Sequence, residues 1–390
     1  MKRIPFVTLA IVLVASAFWV AVGSLVVPHA LHTDFLSFYT GGLLARQGSL
    51  HRLYDPAVQA AVERSLVPGS SVLMPFIRPP FYAVLLAPLT LLPLVAAFWT
   101  WLAAQLAALL GCWWWFARRF GYDALVFAAL YYPTSVGLAN GQDPVWMLAI
   151  FLCAYALAER QRDFAGGAVL GLAVIKFHLL FLMPVALAIE RRWRMLAGFC
   201  GVGGLCAAVS LLLGGPGIAA QYYGLLHRRD IQTLDPTPVR MINVRSLALN
   251  VGVDSPWITA LLAAAVIGLL VVAARRAPLW RWFSAACAAT LLVAPHIYNY
   301  DAGILLLPIL LAIFCSSSRF TRILAATAVI PIPHMAAFFG PPYSIAPVLV
   351  IFLFLTALAR ESYRERFRKN AVALPGTVAL SPASAGERLC

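Results

Sequence analysis

The chain has 390 residues, a formal net charge of +14, 62% hydrophobic and only 11% charged residues, and a mean hydropathy of +0.85. A water-soluble domain carries about a quarter charged residues, so the composition excludes a soluble globule and predicts an all-α, polytopic membrane protein. The excess positive charge falls in short clusters between apolar runs, the pattern that sets membrane topology, which argues against nucleic acid as a partner. The seven cysteines lie mostly inside apolar segments without CxxC spacing. They read as small buried hydrophobes, and neither a zinc site nor a disulfide framework is implied.

Lys2 and Arg3 precede an apolar run from Phe6 to Val27. The run resembles a secretory signal peptide but is longer than the usual hydrophobic region and is followed by further spans, so an uncleaved first helix is predicted. Residues 28–78 form a long polar outer loop. Within it, LYDPAVQAAVERSL and its Pro-Gly end predict short amphipathic helices lying on the membrane. The apolar stretch from Pro79 to Arg119 exceeds one span of about 20 residues and is broken at Pro88 and Pro93. An interfacial or re-entrant piece followed by a spanning helix is expected there.

Further basic clusters stand at Arg160/Arg162, Arg191/Arg192/Arg194, Arg275/Arg276/Arg281, Arg319/Arg322 and Arg360 to Lys369. If each marks the cytoplasmic side, every interval between neighbouring clusters holds an even number of crossings. Splitting the intervals at PTSVGLANGQDP, near Lys176, in the outer loop 214–255, at PHIYNYD and at FFGPPYS gives about 12 crossings with both termini cytoplasmic. One membrane domain then covers 1–360, with a basic, disordered cytoplasmic tail over 361–390. Several half-hairpins offer only about 13 to 17 apolar residues, short of the ~20 needed to cross ~30 Å of hydrocarbon. Their outer ends are expected to stop below the membrane surface and line a recess.

Nine basic residues fall outside the cytoplasmic clusters: Arg46, Arg52, Arg64, Arg78, Lys176, Arg228, Arg229, Arg240 and Arg245. They either bind phosphate, for which Arg and Lys are suited, or pair with Asp55, Glu63, Asp230, Asp235 and Asp254. Lys176 differs because it interrupts an apolar segment, where an ionisable residue marks function. Asp34, in HALHTDFLSFYT, sits at an outer helix end, where a carboxylate is able to abstract a proton from a docked hydroxyl. It is equally suited to cap the helix FLSFYTGGLLAR. PHIYNYD gathers His296, Tyr298, Asn299, Tyr300 and Asp301; its His, Tyr and Asn suit phosphate or sugar hydroxyls, with Asp301 orienting a basic residue, or else the segment forms an interfacial aromatic belt with an N-capping Asp. ANGQDP offers Asn140, Gln142 and Asp143, although a tight turn alone explains its Gly and Asn. The sequence holds no HExxH, DxD, P-loop or GxGxxG motif. No metal or cofactor is therefore predicted, and an enzyme would need a donor that brings its own membrane anchor.

Several blocks, taken in order, resemble a known family: Asp34-Phe35 with Phe38-Tyr39, Leu53-Tyr54-Asp55, Pro79-Pro80 with Pro88-Leu89 and Leu92-Pro93, Gly141-Gln142, Gly166 to Lys176, and Ala294-Pro295-His296. They are similar to the GT-C type membrane glycosyltransferases, specifically the polyprenyl-phosphate-mannose-dependent family 87. The likeness covers roughly residues 30 to 305. Arg78 stands where the family pattern has an aromatic before Pro-Pro, and Phe177-His178 follows Lys176 where Pro is usual. The resemblance implies a GT-C fold and transfer of a hexose, mannose, from a polyprenyl-phosphate donor to a lipid or glycan acceptor hydroxyl. The reaction would run on the extracytoplasmic side of the inner (plasma) membrane, without metal and with inversion. It further implies Asp34 as base, Lys176, Arg245 and His296 as groups that neutralise the departing phosphate, and Tyr39, Arg78, Gln142, His178, Tyr298 and Asn299 as substrate-binding residues. A transporter or lipid flippase is the alternative, but it should show repeat-related broken helices with midplane charge. No internal repeat is evident, and the candidate residues map to one side. An inactive relative that scaffolds envelope assembly is a third reading.

Overall fold

The fold comes from a computed structural model that describes residues 5, 8, 10–16, 18, 33–68, 73–227 and 237–372, with side chains through Arg368. Every regular element among them is a helix. Most of the predicted helix Phe6–Val27, together with Arg228, Arg229, Asp230, Asp235 and residues 373–390, lies outside the described residues.

The outer loop folds as helix α1 (Phe35–Arg46), a 3-10 turn (Leu50–Arg52) and helix α2 (Pro56–Leu66). Asp55 caps α2, its carboxylate accepting from the Ala57 and Val58 amides, with Pro56 pre-setting the first turn. Helix α3 (Pro80–Leu86) passes into a 3-10 segment, Ala87–Leu91, at Pro88, and α4 (Leu94–Phe120) starts directly after Pro93. The two prolines therefore divide the stretch where the sequence indicates.

The remaining helices run back and forth between the two ends of a bundle. They are α5 (Asp123–Leu130), α6 (Tyr132–Ala139), α7 (Pro144–Glu159), α8 (Asp163–Gly171, continued as 3-10 over Leu172–Leu180), α9 (Met183–Ile189) and α10 (Trp193–Gly214). After α11 (Ile218–His227) and α12 (Val244–Asn250), which occupy the second outer loop, come α13 (Pro256–Ala274) and α14 (Leu279–Val293). A 3-10 turn, Asn299–Leu305, leads into α15 (Leu306–Cys315), followed by α16 (Arg319–Val329), α17 (Pro331–Met335) and α18 (Ala346–Val372). Helix α18 carries regular structure through residues 361–372, into the segment assigned from sequence to a disordered tail.

Among the described residues, five helices are long and apolar enough to cross a bilayer: Leu94–Phe120, Asp163–Leu180, Trp193–Gly214, Pro256–Ala274 and Tyr343–Arg368. Arg319–Val329 with Pro331–Phe339, bent by 52°, would add a sixth. The protein is thus polytopic, and side chains such as Leu212 and Trp257, both 83% exposed, present lipid-facing surface. Pro144–Glu159, Leu279–Val293 and Asn299–Cys315 are apolar but short. At 1.5 Å per residue, the 16 residues of α7 reach about 24 Å, less than the ~30 Å hydrocarbon core.

The large core is built from α7, α9, α14, α15 and α18, and a smaller aromatic one from α1, α3, α4 and α11, including Phe35, Phe38, Phe76 and Trp101. Helices α8 and α10 approach closely because their contact is lined by glycine: a Cβ on Gly167 would run into the Met195 carbonyl, and one on Gly198 into that of Phe164. At the bundle end where α7 finishes, ion pairs join helix ends: Arg119 with Glu159 at 2.9 Å, Arg192 with Asp163 at 3.0 Å, and Arg281 with Glu361 at 3.0 Å and Glu365 at 2.7 Å. Of the cysteines, Cys112 and Cys287 are buried as expected, whereas Cys153 and Cys200 are exposed on apolar helix faces.

Candidate active site

At the opposite end of the bundle, where the short helices stop, lies a cavity of about 330 Å³. Its wall includes Asp34, Ser37 and Phe38 at the start of α1, Arg78 before α3, Gln142 before α7, His178 in the 3-10 continuation of α8, and His296 with Tyr298 to Asp301. Arg240, and Ala337 and Phe338 after α17, also line it.

Asp34 does not cap α1. Its backbone is helical (φ −59°, ψ −18°) and its carboxylate accepts no hydrogen bond from the first turn. Oδ2 instead accepts from Gln142 Nε2 at 2.8 Å. Gln142 is held in turn by its own backbone: its carbonyl accepts from Gln105 Nε2 at 2.7 Å, and the Gly141 carbonyl accepts from Trp101 Nε1 at 3.0 Å. Gly141 has φ +66°, and a Cβ there would strike Phe35, so the turn needs glycine to bring Gln142 against α1. The other end of the Gln142 amide, Oε1, accepts from Arg78 Nη2 at 3.2 Å. The result is a chain of contacts from Arg78 through Gln142 to Asp34. Burial pushes the Asp34 carboxyl above its ordinary value, while the Gln142 hydrogen bond and the charges of Arg78 and Lys176 hold it down.

Lys176 breaks the helical run of α8, with φ −120° and ψ 65°, and is 1% exposed. Its ammonium lies 2.7 Å from Asp143 Oδ1 and 2.7 Å from Asp301 Oδ1, with the Tyr300 ring centroid at 5.1 Å. It stands behind the cavity wall and does not line it. Asp143 also approaches Arg78 at 3.5 Å and accepts from the Tyr82 hydroxyl at 3.3 Å, while Asp301 Oδ2 accepts from the Tyr298 amide at 3.1 Å. A buried ammonium between two carboxylates fixes the starts of α7 and α15 relative to each other.

His178, His296, Tyr298 and Asn299 all line the cavity, as do Arg78 and Gln142. The His178 and His296 rings meet edge to face at 6.5 Å, and His178 Nε2 is buried without a hydrogen-bond partner. Asn299 Nδ2 donates to the His334 carbonyl at 2.7 Å, which ties it to α17. Two sequence candidates fall elsewhere. Tyr39 donates its hydroxyl to the Leu92 carbonyl at 2.8 Å and so clamps α1 to the turn before α4. Arg245 is exposed on α12 and does not reach the lining.

Arg240, on the same loop as Arg245, does line the cavity. Its loop is strapped by Ser246 and Asn250, both donating to the Val239 carbonyl at 2.8 and 2.7 Å, and by Asn243 Nδ2 donating to the Ala294 carbonyl at 2.8 Å. Both arginines belong to the set that violates the positive-inside tendency, but charge placement alone does not choose between neighbours on one loop. Nor did it identify Asp143 as a partner of Lys176, because the turn ANGQDP carries a full local explanation. Arg78, Arg240, Asp34 and Asp301 line the cavity, and Lys176 and Asp143 stand behind its wall, so basic and acidic side chains alternate around it. Among the described residues no three His, Cys, Asp or Glu side chains are grouped to hold a metal ion.

A family model described as glycosyltransferase family 87 matches residues 76–295, more than half of the chain. The matched stretch contains Arg78, Gln142, Asp143, Lys176, His178 and Arg240, all in or against the cavity. No curated protein and no solved structure matches the chain. With its apolar helices and this match, the chain belongs to glycosyltransferase family 87 and is a membrane glycosyltransferase.

Proposed function

We propose that the protein moves a hexose, mannose by the family resemblance, from a polyprenyl-phosphate donor to a hydroxyl of a lipid or glycan acceptor, inverting the anomeric carbon without a metal ion. The observation that carries this reading is the Asp34 carboxylate, turned into the cavity by Gln142 and not spent on capping its own helix. The acceptor hydroxyl gives its proton to Asp34 as its oxygen bonds to the anomeric carbon, and the bond from that carbon to the phosphate oxygen breaks. The polyprenyl phosphate leaves with the electron pair. A carboxylate raised by burial is a stronger base than one in water, and fixed cations beside the departing phosphate supply electrostatic stabilisation where it develops.

Arg240, Arg78 and His296 face the cavity and are suited to that phosphate. Lys176 acts one layer back: by neutralising Asp143 and Asp301 it leaves the guanidinium of Arg78 available to an incoming anion. Gln142, His178, Tyr298 and Asn299 line the cavity and are of a chemistry suited to sugar hydroxyls. We further propose about 12 crossings with both termini in the cytoplasm and the cavity on the extracytoplasmic face of the plasma membrane. In support, the basic clusters collect at the bundle end away from the cavity, and the intervals between them fold as hairpins whose tips approach it. Family membership favours glycosyl transfer over a transporter or flippase.

Purified protein in detergent, given polyprenyl-phosphate-mannose and a panel of lipid acceptors, is expected to form a glycosylated acceptor. Asp34→Asn should reduce turnover by at least about 10³-fold with donor binding retained. Undiminished transfer by that variant overturns the base assignment, and transfer only from other polyprenyl-phosphate hexoses overturns mannose.

A further inference from the structure

Residues 73–78 form a stretch of cavity wall without a helix of its own, so its backbone groups need partners from elsewhere. Four side chains provide them. Glu63 Oε2 accepts from the Met74 amide at 2.9 Å, and Gln59 Oε1 accepts from the Phe76 amide at 2.7 Å. The Tyr222 hydroxyl donates to the Ile77 carbonyl at 3.0 Å, and the Tyr54 hydroxyl to the Arg78 carbonyl at 2.7 Å. Tyr54 and Tyr222 stack on each other at 4.7 Å, and Gln59 is itself fixed by donating to the Leu53 carbonyl at 2.6 Å.

Gln59 and Glu63 are four residues apart on one face of α2, and they are 0% and 1% exposed. They are the fully buried residues of this helix, while its valines stay half-buried. Burying an amide and a carboxyl costs free energy unless each is hydrogen-bonded; Val58 and Val62 pack partly buried against the aromatic core, yet the deepest positions of the helix go to Gln59 and Glu63. The buried pair is matched to the backbone of the wall, and that wall ends in Arg78. From Arg78 the contacts continue to Gln142 Oε1 at 3.2 Å and from Gln142 Nε2 to Asp34 at 2.8 Å. Only one orientation of the Gln142 amide serves both neighbours, carbonyl toward the guanidinium and NH₂ toward the carboxylate.

We infer that α2 is a positioning element for the reaction: Gln59 and Glu63 set the 74–78 wall, and through Arg78 and Gln142 they fix the orientation of the Asp34 carboxylate. The inference rests on Asp34 being the base. Burial pushes the Glu63 carboxyl up to about 7, against the Met74 amide that holds it down, so a neutral acceptor is a fair substitute at this position.

The test uses the full-length protein in detergent. Gln59→Ala and Glu63→Ala should each lower kcat by about tenfold or more with little change in acceptor KM, because misplacing a reacting group costs rate more than binding. Glu63→Gln, which keeps an acceptor for the Met74 amide, should restore most of the loss caused by Glu63→Ala. Combined with Arg78→Ala, the Gln59→Ala change should lower kcat no further, since both act along one chain of contacts. Losses that multiply in the Arg78→Ala background, or no loss at all, overturn the inference. Hydrogen exchange provides a readout without turnover: the 74–78 amides should exchange faster in Gln59→Ala while α3 is unchanged. Unchanged exchange at 74–78 overturns the strap. A wild-type protein that exchanges as expected but transfers no sugar overturns the proposed function instead.

Discussion

At the scale of single residues, the site depends on which charges are already used. Lys176 attracts attention in the sequence as an ammonium in an apolar segment, and the structure uses it to bridge Asp143 and Asp301. Removing it strands two buried carboxylates, a change that typically costs about 3–5 kcal/mol. Lys176→Met should therefore lower the thermal midpoint in detergent sharply, and adding Asp143→Asn and Asp301→Asn should recover much of the loss. No recovery would show that side-chain volume, and not charge, sets the effect. For Asp34, only the ionised form accepts a proton, so activity is expected to fall as pH falls through its raised pKa. That acid limb of kcat/KM should lie above the ordinary carboxylate range near about 4. Arg78 is one of the cations holding this pKa down, so Arg78→Met should move the limb to higher pH. A limb that stays in place, or moves down, contradicts the electrostatic coupling.

At the scale of elements, the breaks were more legible than the faces. Pro88, Pro93 and the turn at ANGQDP mark real ends because proline removes an amide and its ring clashes with the preceding turn. Periodicity points to the side of α2 that packs on the aromatic core, where Val58 and Val62 lie, but not to Gln59 and Glu63 as the residues that meet backbone there. The split near Lys176 was legible from the spacing of the basic clusters, whereas the non-helical geometry of that one residue was not. The glycine-rich run of α8 was visible but its partner was not. Gly167 and Gly201 offer a matched pair for that contact. A Cβ on Gly167 meets the Met195 carbonyl, while one on Gly201 meets nothing within 4 Å. Gly167→Ala should destabilise by about 1–3 kcal/mol through overpacking, and Gly201→Ala should be neutral or raise the melting midpoint, because Ala favours helix over Gly by up to about 1 kcal/mol. Equal effects of the two substitutions in a detergent melt would remove close packing as the basis of the α8–α10 contact.

At the scale of the whole molecule, charge sorting and helix length distinguish the two ends of the bundle by independent physics. Ion pairs such as Arg119–Glu159 and Arg192–Asp163 gather at one end, where helices begin or finish with arginine. The cavity opens at the other end, where α7 begins, about 24 Å away. Because α7 is shorter than the hydrocarbon core, polar residues at its start are expected below the membrane surface, and the cavity is where they find partners. The positive-inside tendency then assigns the arginine end to the cytoplasm. Single-cysteine labelling with a membrane-impermeant maleimide in right-side-out vesicles tests that assignment. Gln47→Cys, exposed just beyond α1 on the cavity side, should react in sealed vesicles. Ser317→Cys, exposed between α15 and α16 among the arginine-bearing ends, should react only after permeabilisation. Both sites reacting from one side would break the hairpin argument. The reverse pattern would keep the fold but turn the cavity, and the sugar donor with it, to the cytoplasmic face.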